Sequence, residues 1–387
     1  MVGKATRGVV AVLMSLGCAV LSGCGSVGLQ PPGNGRAAGP TASARPSGTP
    51  AADVLVEVPP VDVLVGATLR TAAGQRIDLG WAGRAPRAAR IAAGWLIWGE
   101  DDVWLLSDAG ERVQLWQGEP TLVVDADGER FAYRDGDQIV VARLAGSAAP
   151  IATRPAGAEL VPVATTGGVG RFRPNAFVGD ALLLSYSDSG DRAERFDLWP
   201  YHRGGYQPSP TQRQIVRATP DQRLIVGATP DGRRLIGLAA GDSAPCLATF
   251  DPGDLHLVAR ACGVAISIPT HAAISPDGQW LLAYRTDQSP PGVKGGNPVV
   301  AIDLTAAFSG KRSERTWPST AADFNITDCV WPDSGSVWCA DRGGLARLRI
   351  DGPDWVERVR LAGVAVDNLT QRPLTVVPVP HLGMSAG

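Results

Sequence analysis

One short pattern recurs along this chain and limits its fold more than any other feature. It is a tight polar turn between two apolar stretches. ISPDGQWLLAY runs from Ile274 to Tyr284 and ATPDGRRLIGL from Ala228 to Leu238. VDADGERFAYR spans Val124 to Arg134, VWPDSGSVWCA spans Val330 to Ala340, and FVGDALLLSYS, Phe177 to Ser187, is a weaker copy. Proline presets φ for a turn, and Asp and Gly accept the conformations that follow at low cost. Each copy therefore predicts a β-hairpin.

The copies lie about 50 residues apart, a period that suggests units of several short strands. The sequence between turns agrees. RLIVGAT, RRLIGLA, PCLATF and LHLVARAC make four short runs around Pro230, and ITDCVW, SVWCAD, LARLRI and VERVRLAG make four more near the end. In LARLRI and VERVRL every second residue is apolar, as in a strand with one face on a core. The fold expected is all-β: a β-propeller of four-stranded antiparallel blades. Six candidate blades fall near 88–118, 120–165, 174–218, 223–262, 271–318 and 325–363. The segments 62–80 and 366–379 flank them. If strands from both ends share one blade, the count is seven; otherwise it is six. Trp95, Trp98, Trp104, Trp280 and Trp338 lie in strands and are expected between blades.

The turn boxes at Asp125, Pro230, Pro276 and Pro332 resemble the PDG repeat of TolB-type, WD40-like propellers of bacterial envelope proteins. The likeness covers most of residues 85–365, and the Gly-His and Trp-Asp marks of true WD40 repeats are missing. It implies fold; propellers host enzymes, scaffolds and sensors alike, so it implies function poorly.

The N-terminus predicts location. Lys4 and Arg7 precede an uncharged run, GVVAVLMSLGCAVL, from Gly8 to Leu21. About 14 residues suit a signal-peptide core, whereas a spanning helix needs about 20. The run closes on Leu21-Ser22-Gly23-Cys24. This resembles the bacterial lipobox, which implies lipid on the Cys24 sulfur, cleavage before Cys24 and a membrane-anchored, extracytoplasmic protein. Residues 25–52 are rich in Gly, Pro, Ser and Ala, hold no aromatic residue and cannot bury enough apolar surface to fold. The expected organisation is a signal at 1–23, a lipidated cysteine and disordered tether at 24–52, and the propeller at 53–387.

Cys246, Cys262, Cys329 and Cys339 make an even number in an exported chain, which suggests disulfides. Three connectivities are possible. The local one is preferred, because Cys246 and Cys262 flank one hairpin turn and Cys329 and Cys339 flank another, and facing residues of antiparallel strands lie within disulfide reach.

Chemistry is harder to find. Net charge is −2, with no basic stripe for nucleic acid. His202, His256, His271 and His381 are scattered, and neither a catalytic motif nor a cofactor motif stands out. DSGD (188–191) and DADG (125–128) have Asp where a calcium loop would, yet lack its further ligands, and hairpin turns use the same residues. No catalytic or metal residue is assigned. The most unusual patch is FDLWPYHRGGYQPSPTQR, where Trp199, Tyr201, His202, Arg203 and Tyr206 crowd a Gly/Pro-rich loop. Aromatic rings with a polar handle are enriched at contact surfaces, so these five are candidate contacts for a ligand or partner; packing on the blade edge is the competing reading. The function expected is a binding or scaffolding module for an envelope protein or saccharide. The alternative is an envelope enzyme, a lyase or glycosidase, acting on a saccharide.

Overall fold

A computed structural model of the chain describes most residues from Val54 to Val377, with Met384 and Ser385. Residues 1–53 and several connections, among them 145–159, 187–192, 204–212, 286–298, 318–328 and 365–373, lie outside the described residues. Cys24, the tether, the DSGD segment and Tyr206 are in that set. The described residues fall in one compact unit, Gly48–Gly387.

Seven sheets follow one another along the chain. Blade 2 shows the common plan. Its strands Arg87–Ile91, Gly94–Trp98, Asp102–Leu106 and Arg112–Gln117 pair antiparallel in sequence order. Blades 3 to 7 begin at Leu122, Arg173, Ile225, Ile266 and Cys329 and repeat that plan. All six blades expected from the sequence are present. The seventh is composite. Val63–Val65, Thr68–Arg70 and Arg76–Asp78 supply three strands of blade 1, and Leu374–Val376 supplies the fourth from the other end of the chain. Val63 faces Val376 in this closure.

Two blades gain a fifth strand. Val54–Val56 adds in parallel outside Glu357–Leu361 of blade 7, and Met384–Ser385 adds beside Leu122–Val124 of blade 3. Both additions are short, and neither has a turn box to announce it.

The apolar clusters show why the blades form a ring. Each seam between neighbours holds one. Leu64, Leu69 and Leu79 of blade 1 meet Trp95 and Ile97 of blade 2. Blades 2 and 3 share a cluster, as do blades 3 and 4, blades 4 to 6, and blades 6 and 7. The last seam, where Val330, Trp338 and Leu345 meet Val63 and Val376, joins blade 7 back to blade 1. A blade pressed on both faces must be apolar on both faces. Gly94–Trp98 and Cys246–Phe250 are accordingly buried at every position, while the outer strand Arg112–Gln117 alternates between exposed and half-buried. Trp95, Trp98 and Trp338 are buried in seams, and Trp104 and Trp280 pack against seams half-buried. The one α-helix among the described residues, Leu304–Phe308, is capped by the Asp303 carboxylate accepting the Ala306 N–H at 2.8 Å.

Candidate functional site

In a four-stranded meander the first and third turns lie at one end and the middle turn at the other. Because the blades of a propeller run in one sense, their first and third turns together make one face of the ring. The recurring box sits on that face. Its geometry differs from the sequence pattern that revealed it.

The recurring element is an oxygen-bearing side chain three residues before a glycine. In the box of blade 6, Ser275 Oγ accepts the Trp280 N–H at 2.9 Å, the Gly278 N–H donates to the Ser275 carbonyl, and the Ser275 N–H donates to the Trp280 carbonyl. Thr229 does the same with Gly232 and Arg234 in blade 5. Asp125 does so with Gly128 and Arg130 in blade 3. Thr71 with Gly74 and Ser107 with Gly110 form shorter versions in blades 1 and 2. The five glycines have φ between 65° and 84°, the left-handed region that a side chain disfavours. The Asp of PDG has a subordinate role. Asp231 and Asp277 each accept a hydroxyl hydrogen from Thr229 or Ser275 and the N–H two residues on. The Thr229 hydroxyl first, then the Arg233 N–H, lower the Asp231 pKa below its usual range.

At blade 3 the box carries a carboxylate instead of a hydroxyl. Asp125 is buried and takes Arg130 Nε at 2.5 Å as well as the N–H groups of Glu129 and Arg130. Arg130 then reaches into blade 4. Its Nη1 donates to the Tyr201 hydroxyl and to the Gly179 carbonyl, and lies 3.5 Å from Asp180. Its guanidinium lies 5.3 Å from the Phe177 ring centroid. Burial opposes the charge, yet the hydrogen bond to Asp125, then Tyr201 and the Asp125 charge, together outweigh it and raise the Arg130 pKa.

This seam is where four of the five candidate contact residues come together. Trp199 ends the third strand of blade 4, and Tyr201–Arg203 form a single 3-10 turn. The placement corrects the sequence reading for two of them. Trp199 is 2% exposed and Tyr201 8%, in one cluster with Val123, Val141, Phe177 and Leu182. Trp199 packs edge-on to Tyr201 with centroids 6.1 Å apart. Their rings pack in the seam between blades 3 and 4, as the competing reading had it. His202 and Arg203 are exposed beside it, with His202 Nδ1 3.1 Å from the Asp180 carbonyl. Tyr206 lies outside the described residues.

Sequence reasoning missed the Asp125–Arg130 pair. Aligning the boxes on the residue before proline, rather than on the Asp after it, gives T-P-D-G, S-P-D-G and D-A-D-G and exposes the outlier. It also missed Asp251, Asp254 and His256, whose ligand atoms lie within 4.8 Å of one another. They occupy the third turn of blade 5. Asp251 accepts the Gly253 N–H at 2.7 Å, Asp254 accepts the His256 N–H at 3.0 Å, and His256 Nδ1 touches Asp254. These bonds shape the turn and give no separate sign of a metal.

Both disulfides are local. Cys246 joins Cys262 across the third and outer strands of blade 5, and Cys329 joins Cys339 across the first two strands of blade 7, where they are direct register partners. Such bonds belong to an oxidising, extracytoplasmic compartment. No helix among the described residues is long and apolar enough to cross a membrane.

No protein-family model matches the chain, and no curated protein does. Solved structures of low identity resemble it in outline. The hydrazine synthase of Kuenenia stuttgartiensis is 13% identical over 69% of this chain and 76% of that one, with a TM-score of 0.47. A putative TolB from Agrobacterium tumefaciens is 16% identical over 64% and 83%, TM-score 0.38, and TolB from Acinetobacter baumannii 14% over 76% and 66%, TM-score 0.40. At such identities and scores no function passes between chains. The propeller rests on its own strand pairing.

Proposed function

We propose that this chain is a lipoprotein: a signal at 1–23 is removed, acyl chains on Cys24 hold the protein at the outer side of the cell membrane, and residues 25–52 tether a propeller domain. That domain serves as a binding or scaffolding module for an envelope protein or saccharide. It meets its partner with the turn face, beside the seam of blades 3 and 4, where Asp180, His202 and Arg203 stand exposed.

The observation that carries the binding reading is how that face uses its carboxylates. Asp125, Asp231, Asp251, Asp277 and Asp333 each accept a backbone N–H of their own turn. Carboxylates held this way shape a rigid surface on which exposed residues are displayed. The disulfides support export, and two acyl chains suffice for stable anchoring where one does not.

Fractionation of cells tests the anchor. The wild type is expected with the membranes and Cys24→Ala in the soluble extracytoplasmic fraction; equal membrane association of both would remove the anchor. Cross-linking on intact cells tests the face. Partner yield is expected to fall with His202→Ala and Arg203→Glu together and to hold with Arg260→Glu on an outer strand. Turnover of an envelope saccharide by the purified protein would overturn the binding reading.

A further inference from the structure

The two disulfides differ in what solvent can reach. Cys329 and Cys339 are 4% and 0% exposed and lie inside the apolar seam of blades 6 and 7, among Trp317, Trp331 and Val337. Cys246 is also 0% exposed, on a strand buried at every position. Cys262 is different. It follows the outer strand Leu257–Ala261 of blade 5 by one residue and is exposed. Of the four half-cystines, it alone presents itself at the surface.

We infer that Cys262 is a thiol–disulfide exchange site, at which an extracytoplasmic dithiol reductant opens the Cys246–Cys262 bond while Cys329–Cys339 stays closed. A thiolate attacks a disulfide sulfur only where it can approach it. The reductant's first thiolate bonds to Cys262 Sγ. The Cys246–Cys262 bond breaks, and its electron pair goes to Cys246 Sγ, which takes a proton because burial disfavours the thiolate. The reductant's second thiol, as thiolate, then attacks its own sulfur in the mixed disulfide and releases Cys262 as a thiolate, which takes up a proton. The protein gains two electrons and two protons, and the dithiol leaves as a disulfide. The inference does not depend on the lipid anchor or on the partner.

The structural consequence falls on one strand. Leu257–Ala261 pairs only with Cys246–Phe250 in its sheet. Leu257 and Val258 on it are 44% and 39% exposed. Reduction removes the covalent hold at its far end and leaves the hydrogen bonds.

The test uses the full-length mature protein in native buffer with dithiothreitol as the probe, pulses of iodoacetamide and peptide mapping. Cys262 is expected to become alkylated at least about tenfold faster than Cys329 and Cys339, since the buried pair must wait for a local opening. Oxidised-state labelling with glutathione is expected to leave its adduct on Cys262. Amide exchange in 257–261 is expected to rise on reduction while that in 336–341 does not. Equal rates for Cys262 and the buried pair, earlier opening of Cys329–Cys339, or an adduct on Cys246 would each overturn the assignment. In guanidinium the rates are expected to converge. A tenfold gap that persisted there would trace the selectivity to local sequence and sink the structural argument as well.

Discussion

Replacing Ser275 by alanine tests the reading that the oxygen before the turn, and not the Asp of PDG, holds each box together. Ser275 is fully buried. Its Oγ accepts the Trp280 N–H at 2.9 Å and its hydroxyl donates to Asp277 at 2.5 Å. Alanine removes both bonds and leaves the Trp280 N–H without an acceptor in a part-buried site. An orphaned buried donor costs about 1–3 kcal/mol. Asp277 is exposed, so water replaces its lost partner at little cost. The expected loss is therefore about 2 kcal/mol. Thr229 supplies the comparison. It makes the same two bonds in a half-buried box, so Thr229→Ala is expected to cost about 1 kcal/mol, and Thr229→Ser, which keeps the hydroxyl, under about 0.5 kcal/mol. Urea unfolding followed by tryptophan fluorescence gives all three midpoints. If Ser275→Ala unfolds within error of Thr229→Ser, the oxygen is not what holds the turn.

Three further outcomes follow from burial and topology. Trp199→Ala empties a fully packed seam and is expected to cost about 3–5 kcal/mol, whereas His202→Ala stays within about 0.5 kcal/mol; denaturant midpoints that ranked them the other way would contradict their placement. Burial first, and then the charge of Asp135, raise the Tyr133 pKa above 10.0. The folded state thus favours the neutral phenol. Stability is whole below pH 10.0 and declines as pH rises through the higher folded value, and Tyr133→Phe is expected to flatten that decline in thermal melts from pH 9 to 12. Ending the chain before Leu374 removes a strand of blade 1 and is expected to abolish cooperative unfolding, while ending it after residue 379 keeps the closure and the melt; calorimetry separates the two.

The blades were legible in the sequence because each is built from near neighbours. A strand, a turn chosen for its φ angles and the next strand are contiguous, and the box marks the joint. Closure was legible only as an alternative, because Val63–Val65 and Leu374–Val376 meet across nearly the whole chain and no local signal says that they do. The fifth strands of blades 3 and 7 were not legible at all. They are two- and three-residue additions, too short to show a period, and although Val56 packs against the seam of blades 7 and 1, backbone hydrogen bonds leave little trace in composition.

The burial of two rings in the candidate contact patch was illegible for a related reason. An aromatic cluster near glycine and proline has the same composition whether it faces solvent or a neighbouring blade. At Trp199 and Tyr201 the rings pack into the cluster of blades 3 and 4, and Tyr201 also meets Arg130, about 70 residues earlier in the chain. Its guanidinium bonds to the Tyr201 hydroxyl and holds the phenol end of that ring at the seam. The charge is sustained there by Asp125, which is itself fixed by its own turn. In the other boxes of this type the first residue is a hydroxyl, so the exchange of Ser or Thr for Asp is what lets one turn reach across to the next blade. The aromatic patch is thus half architecture. The polar turn that supports it also fixes the exposed rim, and His202 and Arg203 are held on a rigid base because the rings beside them are buried.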